Sequence, residues 1–191
     1  DERWSAGTVI QRDSAEVWRR LDKALADKGV IYTDLATAVR KHPDLVQRYM
    51  MTSGVSVGED KFTALHAAFW SGGTLLYVPR GVQVALPIVS LNWMDTPGLA
   101  YFSHTLIVAE PGSRVTFVEE FASPAEEMRQ SFHSGVVEIF AGEGADVTYA
   151  DVQKWGPAVI SLTNKRAAVG RDASLRWVGA HVGAKTTHGA Q

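Results

Sequence analysis

Ala109-Glu110-Pro111-Gly112, followed by Ser113-Arg114-Val115-Thr116-Phe117-Val118, is a small-residue turn feeding an alternating strand, and the chain writes that pattern four times. Its equivalents are Val78-Pro79-Arg80-Gly81 before Val82-Gln83-Val84, Ala141-Gly142-Glu143-Gly144 before Ala145-Asp146-Val147, and Val169-Gly170-Arg171-Asp172 before Ala173-Ser174-Leu175. The fourth turn residues, Gly81, Gly112, Gly144 and Asp172, stand 31, 32 and 28 residues apart. Each turn follows an apolar run: Leu75-Leu76-Tyr77, Leu106-Ile107-Val108, Val136 to Phe140, or Arg166 to Val169. One such two-strand unit cannot bury its apolar face alone, whereas stacked units share a continuous core. The competing reading is a β-sandwich, whose strands run antiparallel through short hairpins. The repeat favours a mainly β fold, a solenoid of stacked parallel rungs over 74–178. Gly81, Gly112, Gly144 and Asp172 then line one edge, and Val84, Val115, Val147 and Leu175 form an inward column.

Upstream, the pattern reads as helical. Ser14 is placed as N-cap of a helix to Ala26, with Val17, Leu21 and Leu25 at i, i+4 and i+8 and Gly29 beyond its end. Thr33 or Asp34 caps a second helix that stops near His42 because Pro43 follows. Asp44 to Tyr49 adds a turn or two. Phe62, Leu65, His66 and Phe69 mark one face of a third helix, closed by Ser71-Gly72-Gly73. The expected division is an N-terminal helical region over 1–73, a small cap, and a β-helix segment over 74–191.

The 191 residues carry 19 basic and 21 acidic side chains, which gives no basic face for nucleic acid. No apolar run nears the roughly 20 residues that span a bilayer. The opening Asp1-Glu2-Arg3-Trp4 lacks the pattern of a signal peptide, and the expected location is cytoplasmic. There is no cysteine, hence no thiolate nucleophile, persulfide carrier or cysteine metal ligand.

Catalytic motifs are missing. Gly179 to Thr186 falls one residue short of a phosphate-binding loop, with alanine where the second glycine belongs. Glu119 and Glu120 point to opposite faces of a strand, and Glu126-Glu127 reads as solvated loop. His104 and His133, before strands of successive repeats, are the candidate metal pair; with no third ligand in view, the reading is that no metal is held. His66 reads as a hydrogen-bonded core histidine. Gln153, Trp155 and Lys165, with Arg166, either line the solenoid interior or sit at its rim. Solenoid enzymes acting on carbohydrate need clustered carboxylates, and many carry asparagine ladders, whereas this chain has two asparagines, Asn92 and Asn164.

Several segments resemble the SufB/SufD family: Val30 to Leu35, Ala38 to Val46, Lys61 to Gly73, Tyr77-Val78-Pro79-Arg80-Gly81-Val82, Leu86-Pro87 and His104 to Glu110. The similarity runs from about Gly29 to about Lys185. It implies a right-handed parallel β-helix between helical regions, in a non-catalytic scaffold subunit of the SUF iron–sulfur cluster assembly machinery. The partners it implies are SufB and a SufC-type ATPase, with a cluster present only transiently in the full complex. SufB-type chains commonly carry a cysteine where Phe121 stands here. Tyr49-Met50-Met51-Thr52 and Phe102-Ser103-His104 are closer to SufD, whereas Gln153-Lys154-Trp155 and Asn164 to Ala167 resemble SufB; the SufD-like branch is favoured. Family members continue past Gln191, so the chain reads as a fragment lacking the ATPase-docking helices, expected to pair with a second copy through its last strands or to fray beyond about Gly183. The alternative function is a carbohydrate-active or purely structural solenoid.

Overall fold

A computed structural model describes residues 4–126 and 129–190. The elements are β1 (Gly7–Arg12), β2 (Ala15–Leu21), α1 (Lys23–Ala26), β3 (Ile31–Asp34), α2 (Leu35–Lys41), α3 (Pro43–Tyr49), α4 (Lys61–Phe69) and β4 (Gly72–Val78). There follow β5 (Ile88–Trp93), β6 (Ala100–Ala109), β7 (Arg114–Ala122), β8 (Ser131–Ala141), β9 (Asp146–Lys154), β10 (Val159–Val169), β11 (Ser174–His181) and β12 (Thr186–Ala190). They form two six-stranded sheets, β11-β9-β7-β5-β1-β2 and β12-β10-β8-β6-β4-β3. From β4 onward the chain alternates between the sheets, and its neighbours there are parallel. This is a parallel β-solenoid and excludes the sandwich.

The four repeated turns stack as a ladder. Gly81, Gly112, Gly144 and Asp172 all take positive φ, at 71°, 71°, 65° and 55°, where glycine has no Cβ penalty and aspartate is among the better tolerated residues. The amide of Gly81 donates to Pro111 O at 3.0 Å, that of Gly112 to Glu143 O at 2.9 Å and that of Gly144 to Arg171 O at 2.9 Å. Behind this edge Val84, Val115 and Val147 are buried and Leu175 packs against them. Beside that column Phe117 stacks on Tyr149 with centroids 6.1 Å apart, and Tyr149 meets Trp177 at 5.1 Å. Each fully buried aromatic or aliphatic side chain contributes roughly 1.5–3 kcal/mol. At the last rung Leu175 and Trp177 are half-buried, and the Trp177 indole N–H is buried without a partner.

The outer face of the β4–β6–β8 sheet is covered by helices: Leu35 and Ala38 of α2 and Val46 of α3 pack with Leu75, Leu106 and Val108. Asp34 caps α2 by accepting from the Thr37 amide at 2.9 Å. Asp60 caps α4 through the Phe62 and Thr63 amides, and the Thr63 hydroxyl accepts from the Asp60 amide in return.

Two sequence expectations fail. Ser14 does not cap a helix: Asp13 and Ser14, both at positive φ, form the two-residue turn of an antiparallel β1–β2 hairpin. Segment 1–73 therefore supplies strands to both sheets as well as helices, and Val17 lies on an edge strand, 58% exposed. The third helix exists, but turned round: α4 buries Thr63 and His66 and leaves Phe62, Leu65 and Phe69 exposed. Asp1, Glu2, Arg3, Gln191 and Glu127 of the Glu126-Glu127 pair lie outside the described residues.

Candidate functional site: the polar layer inside the solenoid

Strand alternation aims Val115, Phe117, Glu119 and Phe121 of β7 and Val147, Tyr149, Asp151 and Gln153 of β9 inward. One end of the interior is apolar. Further along, the same columns turn polar and meet Lys165, Ser161 and His133 from the facing sheet.

Gln153, Trp155 and Lys165 all line this interior, not its rim, and each is at least 97% buried. Lys165 Nζ donates to Asp151 Oδ1 at 2.7 Å, and Gln153 Nε2 donates to Asp151 Oδ2 at 3.3 Å. Gln153 Oε1 accepts from Trp155 Nε1 at 3.0 Å and from Ser161 Oγ at 3.2 Å. Because the Ser161 proton is used there, His133 Nδ1 donates to Ser161 Oγ at 2.9 Å, and His133 Nε2 accepts from Ser103 Oγ at 2.9 Å. Burial, helped by the Lys165 charge, holds His133 down at about 3, so the ring is neutral at physiological pH. Its ring packs against those of Trp155, at 4.7 Å, and Phe121, at 4.9 Å, which also touch each other at 5.6 Å. At the last rung His181 Nε2 lies 3.2 Å from Asp151 Oδ2. Arg166, by contrast, points outward to Asn164 and Glu59.

His104 does not join His133. Ser103 points inward, so His104 lies on the other face of the sheet, against α4. His104 Nδ1 lies 3.2 Å from His66 Nε2, and His104 Nε2 donates to Glu138 Oε2 at 2.9 Å. His66 Nδ1 meets Ser134 Oγ at 3.2 Å. Glu138 also accepts the amides of Met51, at 2.7 Å, and Val55, at 2.9 Å, which fastens the loop before α4 to the sheet. Burial, and secondarily His104 and His133, hold His66 down at about 3. Both ring nitrogens of His66, His104 and His133 are engaged, leaving no lone pair aimed at a shared metal. Among the described residues no group of three or more metal-ligating side chains converges.

Asp151 and Glu138 escaped the sequence reading. Asp151 stands in a strict inward alternation with Tyr149 and Gln153, and Glu138 interrupts the apolar run Val136-Val137-Glu138-Ile139-Phe140; both were visible signals. Gly179 to Thr186 forms a strand end and a loop entering β12, with no helix following, so it is not a phosphate loop.

The architecture is that of a parallel solenoid with a hydrogen-bonded polar layer, centred on Asp151, Gln153 and His133, in its interior. Residues 12–89 match the SufBD protein N-terminal region, and residues 92–190 match the SufBD core domain, described as SUF system FeS cluster assembly. The chain belongs to the SufBD family. It is 43% identical over 169 residues to the iron–sulfur cluster assembly protein SufD of Bacillus subtilis, covering 88% of this chain and 38% of that protein. Iron–sulfur cluster assembly SufBD family proteins of Staphylococcus saprophyticus and Staphylococcus aureus USA300 are 34% and 33% identical over 187 residues, 98% of this chain and 40% of each relative. The chain thus spans about two fifths of the length of these relatives. Among the described residues no helix is long and apolar enough to cross a membrane.

Proposed function

We propose that this chain is the solenoid part of a non-catalytic, SufD-like scaffold subunit for iron–sulfur cluster assembly, working in the cytoplasm with SufB and a SufC-type ATPase. The observation that supports it most is the family match across both the N-terminal region and the solenoid core. The side-chain chemistry agrees. Glu119 and Asp151 are sealed inside, out of reach of a polysaccharide, and the two fully buried histidines held near 3 are poor general bases at neutral pH. With no thiolate, the chain handles a cluster as passing cargo at most. Gln153, Trp155 and Lys165 form the polar lining through which this subunit takes part in assembly.

The test is deletion of the gene in its own host, followed by re-expression of the whole polypeptide containing this segment. Iron–sulfur enzyme activities fall on deletion and recover on re-expression, and the tagged polypeptide co-purifies with SufB and the ATPase. Normal iron–sulfur enzymes after deletion, with neither partner recovered, would refute the reading. The isolated chain is expected to self-associate through β11, whose outer edge carries half-buried Leu175 and Trp177. Sedimentation showing a monomer at micromolar concentration would refute that part alone.

A further inference from the structure

Glu119 on β7 has no solvent exposure and, among the described residues, no cation bonded to it. Its Oε1 takes the Thr105 hydroxyl of β6 at 2.6 Å, and its Oε2 takes the Tyr149 hydroxyl of β9 at 2.7 Å. The titratable groups that face it come from β3, β6, β9 and β10, while its register neighbour on β5 is Ser90. β9 supplies Asp151 and Tyr149, β10 Lys165, β6 Tyr101 and β3 Tyr32, the last donating its own hydroxyl to Val89 O at 2.6 Å. Lys165 is the one cation in this group, and its ammonium is committed to Asp151 at 2.7 Å. Glu119 therefore faces an already paired lysine and a carboxylate of like sign. Both of its direct partners are hydroxyls, which donate or accept. A neutral carboxylic acid keeps both contacts by turning one hydroxyl round.

We propose that Glu119 is a proton-switched tie between the two sheets, joining Thr105 of one to Tyr149 of the other as a neutral acid and placing an uncompensated charge inside the solenoid when it ionises. The proton comes from and returns to solvent. Burial pushes the Glu119 carboxyl up to about 7, the Asp151 charge adding to it and the Thr105 and Tyr149 hydroxyls and Lys165 opposing it. The ordinary value is 4.5. Between the two the folded chain holds a proton that the unfolded chain has lost, so the contribution to stability is complete below the ordinary value and is lost as pH rises through neutrality.

The test compares the 191-residue chain with its Glu119→Gln variant, an isostere that stays neutral at every pH. Relative to the variant, the wild-type unfolding constant rises roughly tenfold per pH unit from about pH 5 to 7 and levels off above. Parallel pH profiles for the two proteins would overturn the proposal. A second measurement needs no folded variant: carbon NMR of glutamate-labelled wild type should show one buried carboxyl titrating near neutrality. If every glutamate titrates in the ordinary carboxylate range, the switch does not exist.

Discussion

His104 and Glu138 sit on adjacent parallel strands two residues out of register, yet their side chains meet diagonally, Nε2 to Oε2, at 2.9 Å. The direct register partner of His104 is Val136. The diagonal leaves the second carboxylate oxygen free for the amide of Val55, so one side chain holds a histidine and a loop together.

Replacing Glu138 by alanine should strand the His104 ring and the Met51 and Val55 amides in a dry site. The expected loss is about 3 kcal/mol or more, since three buried donors each lose a partner at roughly 1–3 kcal/mol apiece. Urea unfolding reads the loss, and amide exchange at Met51 and Val55 should speed up before that at Val115 or Val147. Uniform exchange across all four would mean the contact fixes nothing locally.

Acid should destabilise the fold through His66 and His133. Both are held at about 3, against an ordinary 6.5, and are neutral when folded but charged when unfolded below that ordinary value. Their contribution is complete above about pH 6.5 and is lost as pH falls toward 3, at roughly tenfold in the unfolding constant per unit per histidine. Glu119 opposes them over part of this range, so the net acid limb is shallower than two protons. Replacing both histidines by glutamine should flatten it, as urea midpoints measured between pH 4 and 7 would show.

Gly73 should tolerate no side chain. Its φ is +114°, and a Cβ there would lie 1.9 Å from the His104 carbonyl oxygen. The Gln11 side chain fastens the same peptide from both ends, donating to Gly73 O at 2.7 Å and accepting from its amide at 3.0 Å. Gly73→Ala is expected to cost more than about 3 kcal/mol, since the strained backbone and the contact with backbone atoms add. Gly81→Ala, with open space at its Cβ, should cost less. Thermal unfolding of the pair would test that order.

Anaerobic reconstitution with iron and sulfide should leave the isolated chain without visible charge-transfer absorption, because clusters are held by cysteine thiolates and none exists here. A stoichiometric, chelator-resistant cluster would require histidine rings to leave their present hydrogen bonds, and would show as loss of those contacts by NMR.

The solenoid was legible because its turns repeat small residues at positions where the backbone must go left-handed, and because Val115, Val147 and Leu175 keep strict inward alternation. The β1–β2 hairpin was not. Val17, Leu21 and Leu25 are spaced by four, which lies on one face of a helix and equally on one face of a strand. Asp13-Ser14 as a two-residue turn was the discriminating signal. The orientation of α4 was hidden for another reason: its inner neighbours, Ser134 and His104, are polar, so its apolar residues face away. The polar lining was half legible. Gln153, Trp155 and Lys165 could be placed near the core by strand pattern, but the Asp151 that organises them is a single carboxylate whose charged partner, Lys165, comes from the facing sheet.

The two long edges of the solenoid differ in what lengths they permit. Along the edge carrying Gly112 and Gly144, turn amides bond the rungs on both sides, Gly112 to Glu143 O ahead and Gly142 to Ala109 O behind, so an inserted residue there would shear the stack. The opposite edge connects its strands through segments as different as 94–99 and 155–158. That edge is the place where related chains can acquire or shed sequence without altering the rung pitch. It is also where a peptide epitope or fluorophore-binding tag can be grafted between β5 and β6 to follow the scaffold without unzipping it.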